Sequence, residues 1–261
     1  MTDQPNPLRH DLKASSKALL YGSGVFTTIA VVDGRPSFWE KHWRRLVGTA
    51  NKMGIATYDL QEDKVISDIY LALREGLVID GRVLVTIFDN RPADIWPSSD
   101  SETPRISVSI LIGEKRVVAD DLMLTTSRYP INSCSPLAGV KSCNYLEPIM
   151  SLDEAKVRGF HEAIRLNERG FVTSACMSNL FWLAGDELFT PSLSTGCLAG
   201  TTREFVLENI DCREVEAGIE DLANAEAIFL TSAGIGVQRV AEFEGKRLEM
   251  VDHPILHLLP Y

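Results

Sequence analysis

Apolar residues recur every three or four positions in two stretches of the first third of the chain, residues 39–53 and 62–75. In the first stretch they are Trp39, Trp43, Leu46, Val47, Ala50 and Met53. This spacing places apolar side chains on one face of a helix, and Gly54 is typical of a helix end. The pattern therefore predicts two amphipathic helices.

A short run rich in β-branched residues predicts a strand at 82–88, and apolar residues at 106, 108, 110 and 112 that alternate with polar or small residues predict another at 106–112. Between them, residues 89–103 are polar and broken by prolines, so they form either a lid or substrate loop or an exposed excursion. Turn residues at 167–170, at 184–187 and around Gly245 separate short apolar runs and predict three hairpins. Residues 202–209 read as a helix and 227–231 as a buried strand. Because strands and helices mix without a βαβ rhythm, the predicted fold class is α+β.

The alternation stops over residues 114–119, which are charged and irregular. We interpret this segment as a linker between a smaller N-terminal α/β domain, residues 1–113, and a larger C-terminal domain, residues 120–261. The total of 261 residues is consistent with two domains of ordinary size, roughly 100–150 residues each.

Charge excludes some classes of function. The chain has 26 basic and 36 acidic residues, for a net charge of −10. Nucleic acids and anionic membranes need a basic face, so neither is an expected partner, whereas a small anionic substrate needs only a few local cations. The five cysteines form no C-x-x-C pair, and no metal site is predicted. The start has no apolar leader and no apolar run reaches 18 residues, so a cytoplasmic protein is expected.

Three segments carry candidate chemistry. Lys141 lies in an uncharged stretch, residues 137–146, where loss of solvation would lower its pKa and make a nucleophilic amine. A lysine at a strand end can equally extend its ammonium group into the solvent. Thr201 and Glu204 have capping-box spacing after a glycine, which suits either a phosphate at a helix start or an ordinary capped helix. Arg45 is a phosphate contact or a solvated arginine.

Five motifs occur in a recognisable order along the chain. They read YGSGVF at 21–26, HWRRL at 42–46, KSCNY at 141–145, SNLF at 178–181 and LAGTTR at 198–203. Together they resemble the fold-type IV pyridoxal-phosphate enzymes, the class IV aminotransferases, which include D-amino-acid and branched-chain aminotransferases and aminodeoxychorismate lyases. The resemblance spans residues 20–245. It implies the two-domain, D-amino-acid aminotransferase-like architecture, pyridoxal 5′-phosphate as cofactor, and a homodimer.

The resemblance also implies roles for single residues on the cofactor. Lys141 corresponds to the lysine that bonds the cofactor, and Arg45, Thr201 and Thr202 to groups that hold its phosphate. Tyr145 would lie near the cofactor's 3-hydroxyl.

Other positions are expected near the phosphate or the substrate. The stretch 231–233 would line the phosphate or a substrate carboxylate, with Ser232 on the cofactor and Ala233 on the substrate. Tyr21 is an expected substrate contact. Thr28 is a candidate to hydrogen-bond the lysine or to help protonate a leaving group.

Three departures from the family pattern bear on the activity. Ser174 stands where relatives carry the glutamate that protonates the pyridine nitrogen, and a hydroxyl supplies no such charge. The segment 89–92 lacks the usual arginine- and glycine-rich substrate motif, so Arg91 would have to substitute. The opening motif continues as Phe26-Thr27-Thr28, which looks like the lyases, where transaminating relatives often read F-E-x. These features favour a lyase acting on a small anionic amine, with a D- or branched-chain aminotransferase and a non-catalytic relative as alternatives.

Overall fold

The computed structural model describes residues 14–93 and 105–259 and has the α+β character expected. The chain forms two compact units, one of residues 1–116 with Lys141–Asn144, the other of Val117–Val140 with Tyr145–Tyr261. The sequence analysis placed Lys141 in the C-terminal domain, whereas the structure groups its segment with the first unit. The reason is backbone pairing, since Phe26 N donates to Lys141 O at 3.0 Å.

The first unit contains a four-stranded antiparallel sheet and three helices. Its elements are α1 (Lys17–Tyr21), β1 (Gly24–Val32), β2 (Arg35–Pro36), α2 (Trp39–Lys52), α3 (Glu62–Glu75), β3 (Gly81–Asp89) and β4 (Ile106–Gly113). The strand order is β2-β1-β3-β4. The two predicted helices are therefore present, and α3 has the predicted bounds.

The core of the first unit forms where α2 and α3 cover the sheet. It includes Val25, Ile29 and Val31 from β1, and Leu46 and Ile69 from the helices. Alternate residues of a strand point to opposite faces. Thr27 therefore faces the helices with the core residues of β1, while Phe26 and Thr28 point to the other face.

The second unit contains two five-stranded sheets. Its elements are β5 (Met123–Thr126), α4 (Leu146–Val157), β6 (Glu162–Leu166), β7 (Val172–Ala175), β8 (Asn179–Ala184), β9 (Glu187–Pro191), α5 (Thr201–Asn209), β10 (Arg213–Val215), α6 (Ile219–Ala223), β11 (Ala227–Ser232), β12 (Gly236–Arg239), β13 (Glu242–Phe243) and β14 (Lys246–Arg247), with 3-10 turns at Leu193–Thr195 and Pro254–His257. The strand orders are β10-β9-β8-β11-β12 and β14-β13-β5-β6-β7. The three predicted hairpins correspond to β6–β7, β8–β9 and β13–β14.

The two sheets of the second unit share a core. Leu124 and Ile164 from one sheet and Leu180, Trp182 and Ile228 from the other belong to the same buried cluster. Residues 94–104, which make up most of the predicted loop 89–103, lie outside the described residues. Among the residues that are described, no helix combines the length and the apolar character needed to cross a membrane.

Candidate active site

The segment carrying Lys141 is fixed to the start of β1 by two glycines. Gly22 has a φ of +63°, a left-handed conformation that favours glycine, and its carbonyl accepts a hydrogen bond from Asn144 Nδ2 at 2.9 Å. A Cβ on Gly24 would lie 2.8 Å from Cys143 Sγ, and Cys143 N donates to Gly24 O at 2.8 Å. The glycines of the YGSGVF motif thus let the lysine segment approach the strand closely.

The Lys141 amine lies in a site that disfavours its charge. Its Nζ is 4.4 Å from the centroid of the Phe26 ring. Burial, followed by the positive charge of Arg45, lowers the pKa of Lys141 from 10.5 to about 7. A large fraction of the amine is therefore neutral at physiological pH and able to act as a nucleophile or base. This environment favours the first of the two interpretations of Lys141.

Beneath β1, one threonine hydroxyl connects a histidine and an arginine. Thr27 Oγ1 accepts a hydrogen bond from Arg45 Nη2 at 2.9 Å and lies 2.6 Å from His42 Nδ1. His42 is fully buried, and burial, then the charges of Arg45 and Lys141, hold the pKa of its imidazole well below the usual value. The hydroxyl of Thr27 thus links the buried imidazole to the Arg45 guanidinium, and this network fixes the position of the guanidinium.

The start of α5 presents buried hydroxyls and backbone amides. Its N-cap is Gly200, whose backbone is extended, so the predicted capping box beginning at Thr201 is wrong: Thr201 is the first helical residue. The first-turn N–H groups of a helix have no partner within the helix and attract anions. Thr202 Oγ1 is buried and has no hydrogen-bond partner among the described residues.

A second unpartnered hydroxyl belongs to Thr231 of β11, which lies beside Asn179 of β8. Thr231 is completely buried, and its Oγ1 lacks a partner among the residues described. Thr231 pairs with Asn179 of β8 in the sheet register. A Cβ on Gly200 would come within 1.9 Å of Asn179 Oδ1, so Asn179 lies against both Thr231 and the start of α5. Two hydroxyl donors and a helix N-terminus are the groups that a phosphate accepts from.

The position of the missing family glutamate faces an arginine. Ser174 of β7 pairs with Arg165 of β6, and directly opposed residues of neighbouring strands share a face of the sheet. Arg165 is buried. Its Nη2 pairs with Glu147, while its Nε is buried without a hydrogen-bond partner in the described part of the chain.

The remaining predicted residues lie at element ends or on outward faces. Tyr21 ends α1 and is exposed, and Tyr145 is the N-cap of α4. Ser232 ends β11, and Ala233 follows in the turn to β12. Thr28 is part-buried and shares its strand face with Phe26.

Arg91 has a structural partner. Its guanidinium donates to both oxygens of the buried Asp89, at 2.8 and 2.7 Å, and to Gly54 O at 2.9 Å. This arrangement anchors residue 91 to its own unit and disfavours the expected role in binding a substrate carboxylate. Within the described residues, no group of three or more His, Cys, Asp or Glu side chains could hold a metal ion.

Sequence reasoning gave no role to three residues of these clusters: Thr27, His42 and Arg165. His42 and Thr27 stood inside quoted motifs without a role of their own. Thr231 belongs to the stretch 231–233 that was expected to line the phosphate or a substrate carboxylate, although Ser232 was the residue named for the cofactor. The signal for Arg165 is a second charged residue in the short strand β6, which reads EAIRL, and its significance depends on the pairing with Ser174.

Comparison with known proteins identifies the family. The model of the class IV amino-transferases matches residues 24–243. This chain belongs to that family. Members depend on pyridoxal 5′-phosphate, so this class IV chain is a pyridoxal-phosphate enzyme. It is 28% identical to a putative branched-chain-amino-acid aminotransferase of Methanocaldococcus jannaschii, over 87% of this chain and 81% of that protein. It is 27% identical to an aminodeoxychorismate lyase of Bacillus subtilis, over 82% and 75%.

Solved structures share the fold of this class IV enzyme. A putative 4-amino-4-deoxychorismate lyase from Legionella pneumophila superposes with a TM-score of 0.85 at 24% identity, covering 97% of this chain and 94% of that one. A hypothetical aminotransferase from Mycobacterium tuberculosis, solved with pyridoxal phosphate, gives a TM-score of 0.81 at 22% identity, covering 97% and 92%. The residues present fit the cofactor: the amine of Lys141 is largely neutral at pH 7, and the hydroxyls of Thr202 and Thr231 are buried without a hydrogen-bond partner among the described residues.

Proposed function

We propose that this class IV enzyme is a lyase that converts 4-amino-4-deoxychorismate into 4-aminobenzoate and pyruvate. The observation that carries the proposal is Ser174, which replaces the glutamate of the family and is paired with Arg165 rather than with a carboxylate. Without an acid beside the ring nitrogen, the cofactor withdraws electrons less strongly. A reaction with its own driving force is therefore favoured over one that depends on a strongly stabilised carbanion.

The proposed elimination has such a driving force. The C4–H bond of the substrate breaks, the electron pair forms the last double bond of an aromatic ring, and the C–O bond to the enolpyruvyl group breaks. The departing enolpyruvate takes up a proton and becomes pyruvate. Atoms and charge balance without an oxidant or reductant. Aromatisation compensates for a weak electron sink, and no comparable gain assists transamination.

Lys141, Arg45 and the α5 threonines have distinct roles in this proposal. The bound cofactor supplies the electron sink. Lys141 attaches it and, as a neutral amine of pKa about 7, removes the proton from C4. Arg45, held by Thr27, and the hydroxyls of Thr202 and Thr231 hold the phosphate, together with Thr201 at the helix start.

Substrate-facing roles extend the proposal. Thr28 shares a face of β1 with Phe26, whose ring lies 4.4 Å from Lys141 Nζ, and we assign Thr28 the role of donating to the leaving group. The proposal also includes the remaining cofactor and substrate contacts that the family resemblance implies, at Tyr145, Ser232, Ala233 and Tyr21.

The second candidate is an aminotransferase acting on D-amino or branched-chain amino acids. It is favoured by the branched-chain aminotransferases among the relatives. In this case the same lysine returns the proton to a different carbon, so a 2-keto acid forms from the amino donor and the amino group passes to a second keto acid, which becomes an amino acid. A relative that binds the cofactor without turnover is the third candidate.

Product analysis distinguishes the three candidates. The purified protein with pyridoxal phosphate is incubated with 4-amino-4-deoxychorismate, and 4-aminobenzoate and pyruvate are measured separately. The lyase predicts equal amounts of both products, and no keto acid when leucine or D-alanine is the only amine. Keto acid without 4-aminobenzoate would establish the aminotransferase instead, and bound cofactor with neither product would establish the non-catalytic relative.

A lysine pair provides the control. Lys141→Ala should lower 4-aminobenzoate formation by roughly 10²–10⁴-fold, the usual contribution of a general base. Lys156→Ala removes an exposed lysine of α4 and should leave the rate unchanged. Equal activity of the two variants would refute the role of Lys141. The homodimer, the cytoplasmic location and the domain bounds 1–113 and 120–261 stay predictions.

A further inference from the structure

Arg165 is an unusual residue for its position in β6. Four of the five residues of the strand are buried, and Arg165 places a guanidinium, with five N–H donors and no acceptor, among them. Directly across the β6–β7 pair lies Ser174, a short side chain that leaves space on the shared face. A buried N–H without a partner costs free energy. The unpartnered Nε of Arg165 therefore indicates that an acceptor belongs beside it.

The other end of the Arg165 guanidinium is already fixed. Nη2 pairs with Glu147 of α4 and lies 3.5 Å from Tyr129 O. Glu147 is mostly exposed, so this contact orients the guanidinium toward α4 while Nε stays on the sheet. The ion pair thus positions the Arg165 side chain without using the N–H donor at Nε.

The other ionisable groups around the pair do not supply an acid. Glu162, the buried carboxylate of β6, is an odd number of residues from Arg165 and points to the opposite face. It accepts hydrogen bonds from Cys176 N at 3.0 Å and Met177 N at 3.2 Å. Cys176 follows the end of β7, and burial, then the charge of Glu162, raises the pKa of its thiol, which stays neutral.

We propose that Arg165 donates a hydrogen bond to the pyridine nitrogen of the cofactor and keeps that nitrogen unprotonated. The inference rests on the proposed function only in placing the cofactor ring beside Ser174. A guanidinium has donors and no acceptor, so it binds only the unprotonated form of a ring nitrogen. A glutamate at 174 would do the reverse. The chain has therefore exchanged an acid for a cationic donor on the same sheet face.

The protonation state can be read directly in the holoenzyme. Pyridoxal phosphate labelled with ¹⁵N in the ring is bound to the wild-type protein, and its ¹⁵N chemical shift is recorded between pH 6 and 9. We expect the shift of an unprotonated, hydrogen-bonded pyridine throughout. A shift in the protonated range at pH 7 would overturn the proposal, and this measurement needs no variant.

A binding comparison tests Arg165 itself. The analogue with C–H in place of the ring nitrogen cannot accept a hydrogen bond. The wild type should bind pyridoxal phosphate about 10-fold or more tightly than this analogue, as expected for a hydrogen bond from a charged donor. Arg165→Met should lose most of that preference. Arg213→Met, which removes an exposed arginine of β10, should retain it, and equal preferences in the two variants would overturn the proposal.

Two further outcomes separate this inference from the proposed function. If borohydride reduction and peptide mapping find no pyridoxyl adduct on Lys141, the cofactor assignment and this inference fail together. If the adduct is present but the ring nitrogen is protonated, only the role of Arg165 fails. Arg165→Leu combined with Ser174→Glu should move the ¹⁵N shift into the protonated range, because the new carboxylate then has no guanidinium partner. An unchanged shift in this double variant would contradict the reasoning.

Discussion

Replacing Lys141 with methionine should stabilise the cofactor-free protein, by an amount that shrinks as the pH rises. Burial and Arg45 lower the pKa of Lys141 from 10.5 to about 7. Between these values the unfolded chain binds a proton at residue 141 that the folded chain does not. Stability rises with pH wherever the unfolded state binds more protons, so the lysine penalises folding most at or below pH 7 and hardly at all above pH 10.5.

The magnitude follows from the two pKa values. Linkage gives a penalty of about 4 kcal/mol at pH 7 and about 2 kcal/mol at pH 9. Methionine has a side chain of similar length and no charge, so it carries no such penalty. The free energy of unfolding of Lys141→Met should therefore exceed that of the wild type by more at pH 7 than at pH 9, with about 2 kcal/mol between the two differences.

Urea unfolding at pH 7 and pH 9, after removal of the cofactor, measures these differences. Burial raises the pKa of the thiols of Cys143 and Cys212 to about 11 and about 12, and these groups are common to both proteins, so their contributions cancel in the comparison. Lys156→Met serves as the matched control, since this lysine is exposed and its replacement should give the same small difference at both pH values. The reasoning is refuted if the wild type and Lys141→Met differ by an equal amount at pH 7 and pH 9.

Three other substitutions test the remaining parts of the site. Thr27→Val removes the hydroxyl that bridges a buried imidazole and an arginine and should lower the free energy of unfolding by about 1–3 kcal/mol. Thr28→Val, on the opposite strand face, should lower it by less. Denaturant unfolding compares the two variants, and equal losses of stability would contradict the bridging role of Thr27. Thr231→Val removes a buried hydroxyl that has no partner, so it should leave the cofactor-free protein as stable as the wild type or more so, yet raise the Kd for pyridoxal phosphate about 10-fold. An absorbance titration that found an unchanged Kd would remove Thr231 from the phosphate site. Gly200→Ala places a Cβ 1.9 Å from Asn179 Oδ1 and should displace the start of α5, so the same titration should show a higher Kd for pyridoxal phosphate. An unchanged Kd would show that the Asn179 side chain moves away and accommodates the methyl group.

The sequence predicted elements well where one face carries the large apolar residues. In α3, Val65, Ile69 and Leu73 recur at helical spacing and are buried together with Ala72, and the predicted and observed bounds agree. Helix α4 was not predicted, because its buried face consists of Ser151, Leu152 and Ala155. Its larger apolar residues, Leu146, Ile149 and Met150, are exposed instead. No local pattern shows which face of such a helix is covered.

The residues of the candidate site were likewise predictable only in part from the sequence. Lys141 and Arg45 were recognisable from motifs, and Thr202 from the helix start. The reactivity of these side chains depends on contacts with residues that are distant in the sequence. Thr27 lies 15 residues from His42, and the lysine segment reaches β1 only through the backbone pairing described above. The pairing of Arg165 with Ser174 also depends on a register shift between Arg165 and Leu166, which no alternation of residue types indicates.

The two proposals make complementary demands on Lys141 and Arg165. Burial and the charge of Arg45 lower the pKa of Lys141 to about 7, so a large fraction of its amine is neutral and able to take the substrate proton. Under our proposal, the guanidinium of Arg165 donates a hydrogen bond to the ring nitrogen without transferring a proton, so the ring is a weaker electron sink than one beside a glutamate. An aminotransferase needs the negative charge held long enough for a proton to return at another carbon. An elimination needs it held only until the leaving group departs, which is why the two proposals support each other.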